Sequence, residues 1–197
     1  MPDFALESAL WQRSMHRVAG VDEAGRGCLA GPVVAAAVVL APDTRIARLD
    51  DSKKLTPAVR ETLFGTITAE ALAVGIGQCS PAEIDALNIL HASLEAMRRA
   101  VHDLAITPDF LLIDGNKAIA ESPWPQETVV KGDARSLSIA AASIVAKVTR
   151  DRLMVELHDT FPEYGWAGHK GYPTASHYTA LRTHGPSPHH RRSFRLA

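Results

Sequence analysis

The chain has few cysteines, no excess of positive charge and no long apolar run, and each shortage excludes a class of protein. Its two cysteines, Cys28 and Cys79, have neither the density of a disulfide scaffold nor metal-ligand spacing, so both read as buried reduced thiols. The longest apolar run, Val33 to Ala41, falls well short of the ~20 residues that span a bilayer. No basic segment followed by an apolar one opens the N-terminus, so the expectation is a cytoplasmic protein without membrane attachment. A formal net charge of −1 gives no global attraction to phosphate. Any binding of nucleic acid has to come from local clusters of lysine and arginine.

The remaining composition is that of an ordinary globular chain. Hydrophobic residues make up 46% and charged ones 22% of 197 residues, enough for one substantial core and somewhat short for two. The expectation is a single unit over residues 1–197, with an N-terminal extension at 1–16 and a basic tail at 185–197. There is no internal repeat or low-complexity tract.

Local patterning predicts the elements. Val18 to Val21 leads into Asp22-Glu23-Ala24-Gly25-Arg26-Gly27, and after Gly31-Pro32 comes the β-branched run to Leu40. This reads as two strands joined by a glycine-rich turn. Thr56-Pro57 and Ser80-Pro81-Ala82-Glu83 are cap-and-proline signatures that open helices. Ala73 to Gln78 reads as a strand, and Asn88 to about Leu104 has apolar residues at helical spacing. Phe110 to Ile113 and Thr128 to Val130 are short apolar runs, followed by a helix from Ser136 to about Thr160 and another from Thr174 to about Thr183. The order predicts an α/β fold with a mixed central sheet of about five strands flanked by helices, its function at the strand ends.

Four carboxylates share one local setting. Asp22 and Glu23 end the first strand, Asp114 ends a later one, and Asp133 follows another, each near a glycine. Asp-Gly is also common turn chemistry, and Glu23 or Asp133 could simply cap the next segment. Four such positions along one sheet edge make a different reading, that of an all-oxygen ligand set. With no imidazole or thiol adjacent, such a set suits Mg²⁺ or Mn²⁺ rather than zinc or copper. Two such ions about 3.5–4 Å apart can bridge a phosphodiester, one activating water and the other stabilising the leaving oxygen. Phosphodiester hydrolysis is the reaction class that follows.

Other features admit two readings each. Gly25-Arg26-Gly27 with Gly31 is a near miss to a dinucleotide fingerprint, but Pro32 and a strand follow where that motif must open a helix. The turn can still bring backbone N–H groups close to a phosphate or sugar. Ser143 and Lys147, four apart on the long helix, form either a Ser-Lys pair or contacts to phosphate and polar groups. Lys53-Lys54, Lys147 with Arg150 and Arg152, His169-Lys170 and the tail from His184 to Arg195 are local basic clusters, each alone usually a solvated face. Trp166 and Tyr172 flank Gly-His-Lys-Gly, a segment able to stack on a sugar or base, or simply to pack.

Taken in order, these residues resemble a known family. Val21-Asp22-Glu23-Ala24-Gly25-Arg26-Gly27-Cys28-Leu29-Ala30-Gly31-Pro32-Val33-Val34-Ala35-Ala36 is similar to the opening signature of bacterial ribonuclease HII, the type 2 ribonuclease H. The similarity continues through Asp51-Ser52-Lys53-Lys54-Leu55, Ile113-Asp114-Gly115, Lys131-Gly132-Asp133, Ala141 to Asp151, His169 to Thr174 and His190 to Phe194. Only residues before about Arg17 lie outside it. The resemblance implies a ribonuclease H-like fold, Mn²⁺ or Mg²⁺, and endonucleolytic cleavage of RNA in RNA–DNA hybrids. It also implies cutting at single ribonucleotides within duplex DNA to leave a 3′-hydroxyl and a 5′-phosphate. Its catalytic and metal-binding acids fall on Asp22, Glu23, Asp114 and Asp133. Its substrate-binding residues fall on Gly25, Arg26, Gly27, Ser52, Lys53, Ser143, Lys147 and Tyr172. The Gly25–Gly27 backbone would read the ribose 2′-hydroxyl, and Tyr172 would sense the junction by packing on the next deoxyribose. A replication clamp or polymerase is a candidate partner, and the chain is expected to act as a monomer. It ends soon after Arg-Ser-Phe, without the longer C-terminal helices some members carry.

Overall fold

A computed structural model describes residues 1–49, 52 and 55–196. Lys53, expected to bind substrate, lies outside the described residues, as do Asp51 and Lys54. The strands are β1 (Val18–Ala24), β2 (Val33–Val39), β3 (Ala73–Cys79), β4 (Phe110–Asp114) and β5 (Gln126–Val129). The helices are α1 (Ala5–Trp11), α2 (Pro57–Glu70), α3 (Pro81–Leu87), α4 (Ile89–His102), α5 (Leu137–Thr160), α6 (Trp166–His169) and α7 (Ala175–His184).

One sheet in the order β3-β2-β1-β4-β5 forms the centre. β1 and β3 run antiparallel to β2, while β1, β4 and β5 are mutually parallel. Every residue of β2 is buried, because helices cover both faces and a period-2 strand then needs apolar side chains on each. Val33, Ala35, Ala37 and Val39 face Ala96, Met97 and Ala100 of α4. Ala36 and Val38 face Ile144 and Val145 of α5 and Ile67 of α2. Burying one such Val, Leu or Ile contributes about 1.5–3 kcal/mol, against ~0.2–0.5 for a surface i,i+4 pair. Packing therefore fixes the helices. Glycine lets them approach the sheet closely: a Cβ on Gly20 would lie 2.1 Å from the Ser138 carbonyl carbon, where α5 begins.

The caps stand where the sequence places them. The Thr56 Oγ1 accepts from the Val59 N–H, Ser80 and Glu83 form a reciprocal capping box, and the Thr174 Oγ1 accepts from the His177 N–H. Two details differ from expectation. The fifth strand is Gln126–Val129 rather than 128–130, so Asp133 falls in a separate 3₁₀ turn, Gly132–Ala134. The N-terminal residues also form α1, for which no periodic signal stood out. Its fully buried Glu7 accepts from the Ser136 hydroxyl at 2.6 Å and the Ser138 N–H at 2.9 Å. That anchor ties α1 to the start of α5. Among the described residues no helix is long and apolar enough to cross a membrane.

Candidate active site

Parallel pairing carries two of the predicted acids to the same place. Val21 of β1 pairs with Ile113 of β4, and continuing that register by one residue sets Asp22 beside Asp114. Side chains alternate along a strand, so Asp22 turns toward α5 and Glu23 toward α4. A cavity of about 240 Å³ opens at this end, lined by Asp22, Glu23, Asp114, Gly25–Gly27, Ser52, Ser143, Lys147 and Tyr172. Ten of the twelve expected site residues therefore converge (Lys53 is undescribed). Asp133 is buried but does not line this cavity. It is linked to it through its neighbour, since the Gly132 N–H donates to Asp114 Oδ1 at 2.7 Å.

Electrostatics are strongly unfavourable at Asp22. Burial, then the charges of Glu23 and Asp114, push its carboxyl well above the usual carboxylate range, against weaker opposing hydrogen bonds from Ser143 and the Glu23 N–H. The Arg26 guanidinium lies 3.2 Å from Glu23. Buried carboxylates pressed together are the situation a divalent cation relieves. Their hard oxygen donors fit Mg²⁺ or Mn²⁺. Among the described residues, no three His, Cys, Asp or Glu side chains already stand in metal-ligand geometry.

The surrounding polar groups are held by specific contacts. The Ser52 and Ser143 hydroxyls meet at 2.9 Å, and Arg60 donates to the Ser52 and Leu55 carbonyls. Lys147 pairs with Asp151 at 2.8 Å and stands 5.4 Å from the Tyr172 ring centroid. Ser143 thus faces Ser52 and Lys147 faces Asp151, which removes the Ser-Lys reading. Tyr172 is 39% exposed; burial of the rest raises its phenol. Beyond it a second cavity of about 690 Å³ is lined by Arg60, Lys147, Arg152 and Lys170, with Tyr172 at the boundary. Trp166 is fully buried and stacks on Tyr164, so it packs rather than presenting a face to a ligand.

Sequence reasoning missed a layer of support behind the cavity. Arg150 and Arg191, which by sequence belong to basic clusters of the kind usually solvated, are fully buried. His177 Nδ1 donates to the Tyr172 carbonyl at 3.0 Å, while its Nε2 accepts from Trp166 at 3.1 Å and from His190 at 3.0 Å. His190 holds that orientation because its Nδ1 accepts from the Ser187 N–H. The only signal for this layer in the sequence is the concentration of histidines after Asp151.

A mixed five-stranded sheet with acids at the C-terminal ends of its central parallel pair defines a ribonuclease H-like nuclease. Comparison narrows the class. The family model for ribonuclease HII matches residues 19–197. The ribonuclease HII of Salinibacter ruber is 58% identical over 96% of this chain and 96% of its own length. That of Ruegeria pomeroyi is 59% identical over 98% and 82%. Among solved structures, ribonuclease H2 from Pyrococcus horikoshii superposes with a TM-score of 0.76 at 30% identity, covering 92% of this chain and 95% of that one. A chain from the PCNA:RNase HII complex of Archaeoglobus fulgidus gives 0.77 at 27% identity, covering 92% and 96%. The chain belongs to the ribonuclease HII family. It is a ribonuclease H, a hydrolase that cuts the RNA strand of RNA–DNA hybrids endonucleolytically.

Proposed function

We propose that the protein nicks duplex DNA on the 5′ side of single embedded ribonucleotides, using Asp22, Glu23, Asp114 and Asp133 to hold two Mn²⁺ or Mg²⁺ ions. The observation that carries this reading is the crowding of Asp22 by Glu23 and Asp114 in the same cavity as the Gly25–Gly27 loop and Tyr172. The chemistry a bound divalent pair supplies is water activation and neutralisation of charge on the leaving 3′-oxygen.

The protein's own groups position the strand. The Arg26 and Gly27 N–H groups donate to the ribose 2′-hydroxyl, which DNA lacks. Tyr172 packs on the sugar beyond the cut and admits only a deoxyribose there. Lys147, restrained by Asp151, contacts a backbone phosphate together with Ser52 and Ser143, and the basic residues of the larger cavity track the strand without reading bases. A replication clamp is a reasonable recruiting partner, since one relative was solved in complex with PCNA.

The test offers a duplex with one ribonucleotide beside the all-DNA duplex of the same sequence, in Mn²⁺ or Mg²⁺ and in chelator. The reading predicts a metal-dependent nick immediately 5′ of the ribonucleotide, giving 3′-hydroxyl and 5′-phosphate ends. Cutting of the all-DNA duplex at a comparable rate would overturn it.

A further inference from the structure

Arg191 and Arg150 lie side by side in the interior, and among the described residues neither forms an ion pair. Two buried like charges without a counter-ion are costly, so their acceptors matter. All of them are backbone carbonyls of one loop and one turn. Arg191 donates from Nη2 to the Gly25 carbonyl at 2.7 Å, from Nη1 to Arg26 at 2.9 Å and from Nε to Gly31 at 3.0 Å. Arg150 donates from Nε to Pro32 at 2.9 Å, from Nη2 to Ala30 at 3.0 Å and from Nη1 to Lys170 at 2.9 Å.

A trans peptide points its C=O and the following N–H to opposite sides. With the Gly25 and Arg26 carbonyls drawn inward onto Arg191, the N–H groups of Arg26 and Gly27 turn outward to the cavity. Gly25 has φ +98°, and a Cβ there would lie 2.0 Å from Arg150 Nε, so the loop is moulded on the arginine pair. The Leu29 N–H donates to the Gly171 carbonyl and the Arg191 N–H to the Leu29 carbonyl, each near 2.9 Å. These bonds join the loop to the Tyr172 turn. The Arg191 guanidinium rests 5.1 Å from the Phe194 ring centroid.

We propose that Arg191 is a positioning residue for ribonucleotide recognition: it aims the Arg26 and Gly27 amides at the 2′-hydroxyl, while Arg150 locks the same loop to the turn carrying Tyr172. This rests on the reading of Gly25–Gly27 given above. The C-terminal segment, by its sequence a basic tail, then sets specificity from behind the site. A lysine cannot replace the arginine, because a single ammonium lacks the planar fork that reaches several carbonyls at once.

Fluorescence anisotropy tests the idea with two duplexes, one all-DNA and one with a single ribonucleotide, in Ca²⁺ to suppress cleavage. The readout is the ratio of the two Kd values, for wild type, Arg191→Lys and the milder Phe194→Leu, each checked for folding by thermal melt. In a folded Arg191→Lys the preference for the ribonucleotide should fall on the order of tenfold, as small misplacements of a contact group do. Affinity for all-DNA duplex should stay within about twofold, since a buried residue makes no phosphate contact. Should Arg191→Lys not fold, Phe194→Leu should still lower the preference severalfold. An unchanged ratio in the folded variants overturns the proposal. So does an equal loss on both duplexes, the signature of an ordinary phosphate contact. A wild type without any preference would instead sink the reading of Gly25–Gly27, a failure visible before any variant is made.

Discussion

The acidic end of the sheet and the wing built from α6, α7 and the tail both bury ionisable groups, yet they do so in opposite ways. At the sheet end, Asp22 is crowded by Glu23 and Asp114, and the opposing hydrogen bonds from Ser143 and the Glu23 N–H count for less than this crowding and burial. In the wing, Arg191, His169, His177 and His190 have backbone or aromatic partners, and burial favours the neutral form of these three imidazoles. Burial lowers His169 and His177, and brings His190 down to about 4. One region stores unfavourable charge where the proposed cation would bind, and the other removes or satisfies charge so that backbone groups stay in place. Binding chemistry and positioning chemistry are thus separated in the fold.

The separation can be broken from either side. The largest effect expected is on cleavage: Tyr172→Ala should lower kcat/KM at a single ribonucleotide by roughly tenfold or more, while duplex binding measured by anisotropy falls much less. Equal losses would make Tyr172 a packing residue only. A smaller effect concerns stability in acid. His190 has a folded pKa below its ordinary 6.5, so its contribution is fully present above that value and is lost as pH falls toward about 4. Melting curves from pH 7 to 4 should show a steeper decline for wild type than for His190→Gln, compared in chelator. Identical slopes would remove the histidine from the account.

The smallest effect has the opposite sign. The Asp22 carboxyl is raised by the fold, so the stability it contributes is greatest below its ordinary value of 3.8 and is lost as pH rises through the folded value. In chelator at neutral pH, Asp22→Asn should therefore melt higher than wild type by roughly 2–4 °C, the scale of about 1 kcal/mol for a chain of this size. A lower melting temperature would mean that the carboxylate is structurally favourable and the crowding unimportant.

The two regions also differed in how far the sequence disclosed them. Asp22, Glu23 and Asp114 were legible because a short apolar run ending in an acid is a local pattern, and parallel pairing then brings the ends together. Asp133 was half legible: its segment was found, but the intervening 3₁₀ turn sets it behind Gly132. The wing was not legible. A lysine or arginine cluster ordinarily reads as solvated surface, and what buries Arg150 and Arg191 is a set of carbonyls distant in sequence. Glu7 escaped for the same reason, its partners lying at the start of α5. Local chemistry announces itself, whereas long-range satisfaction of a buried charge does not.

The central claim is that the carboxylates at the sheet end form a site completed by a divalent cation. Thermal melts of wild type and Asp114→Asn across a Mn²⁺ titration test it most directly, since a ligand that binds only the folded state raises its stability with concentration. The account predicts a progressive, saturating rise for wild type and a much smaller one for Asp114→Asn. Equal rises in both, or none in wild type, would contradict it.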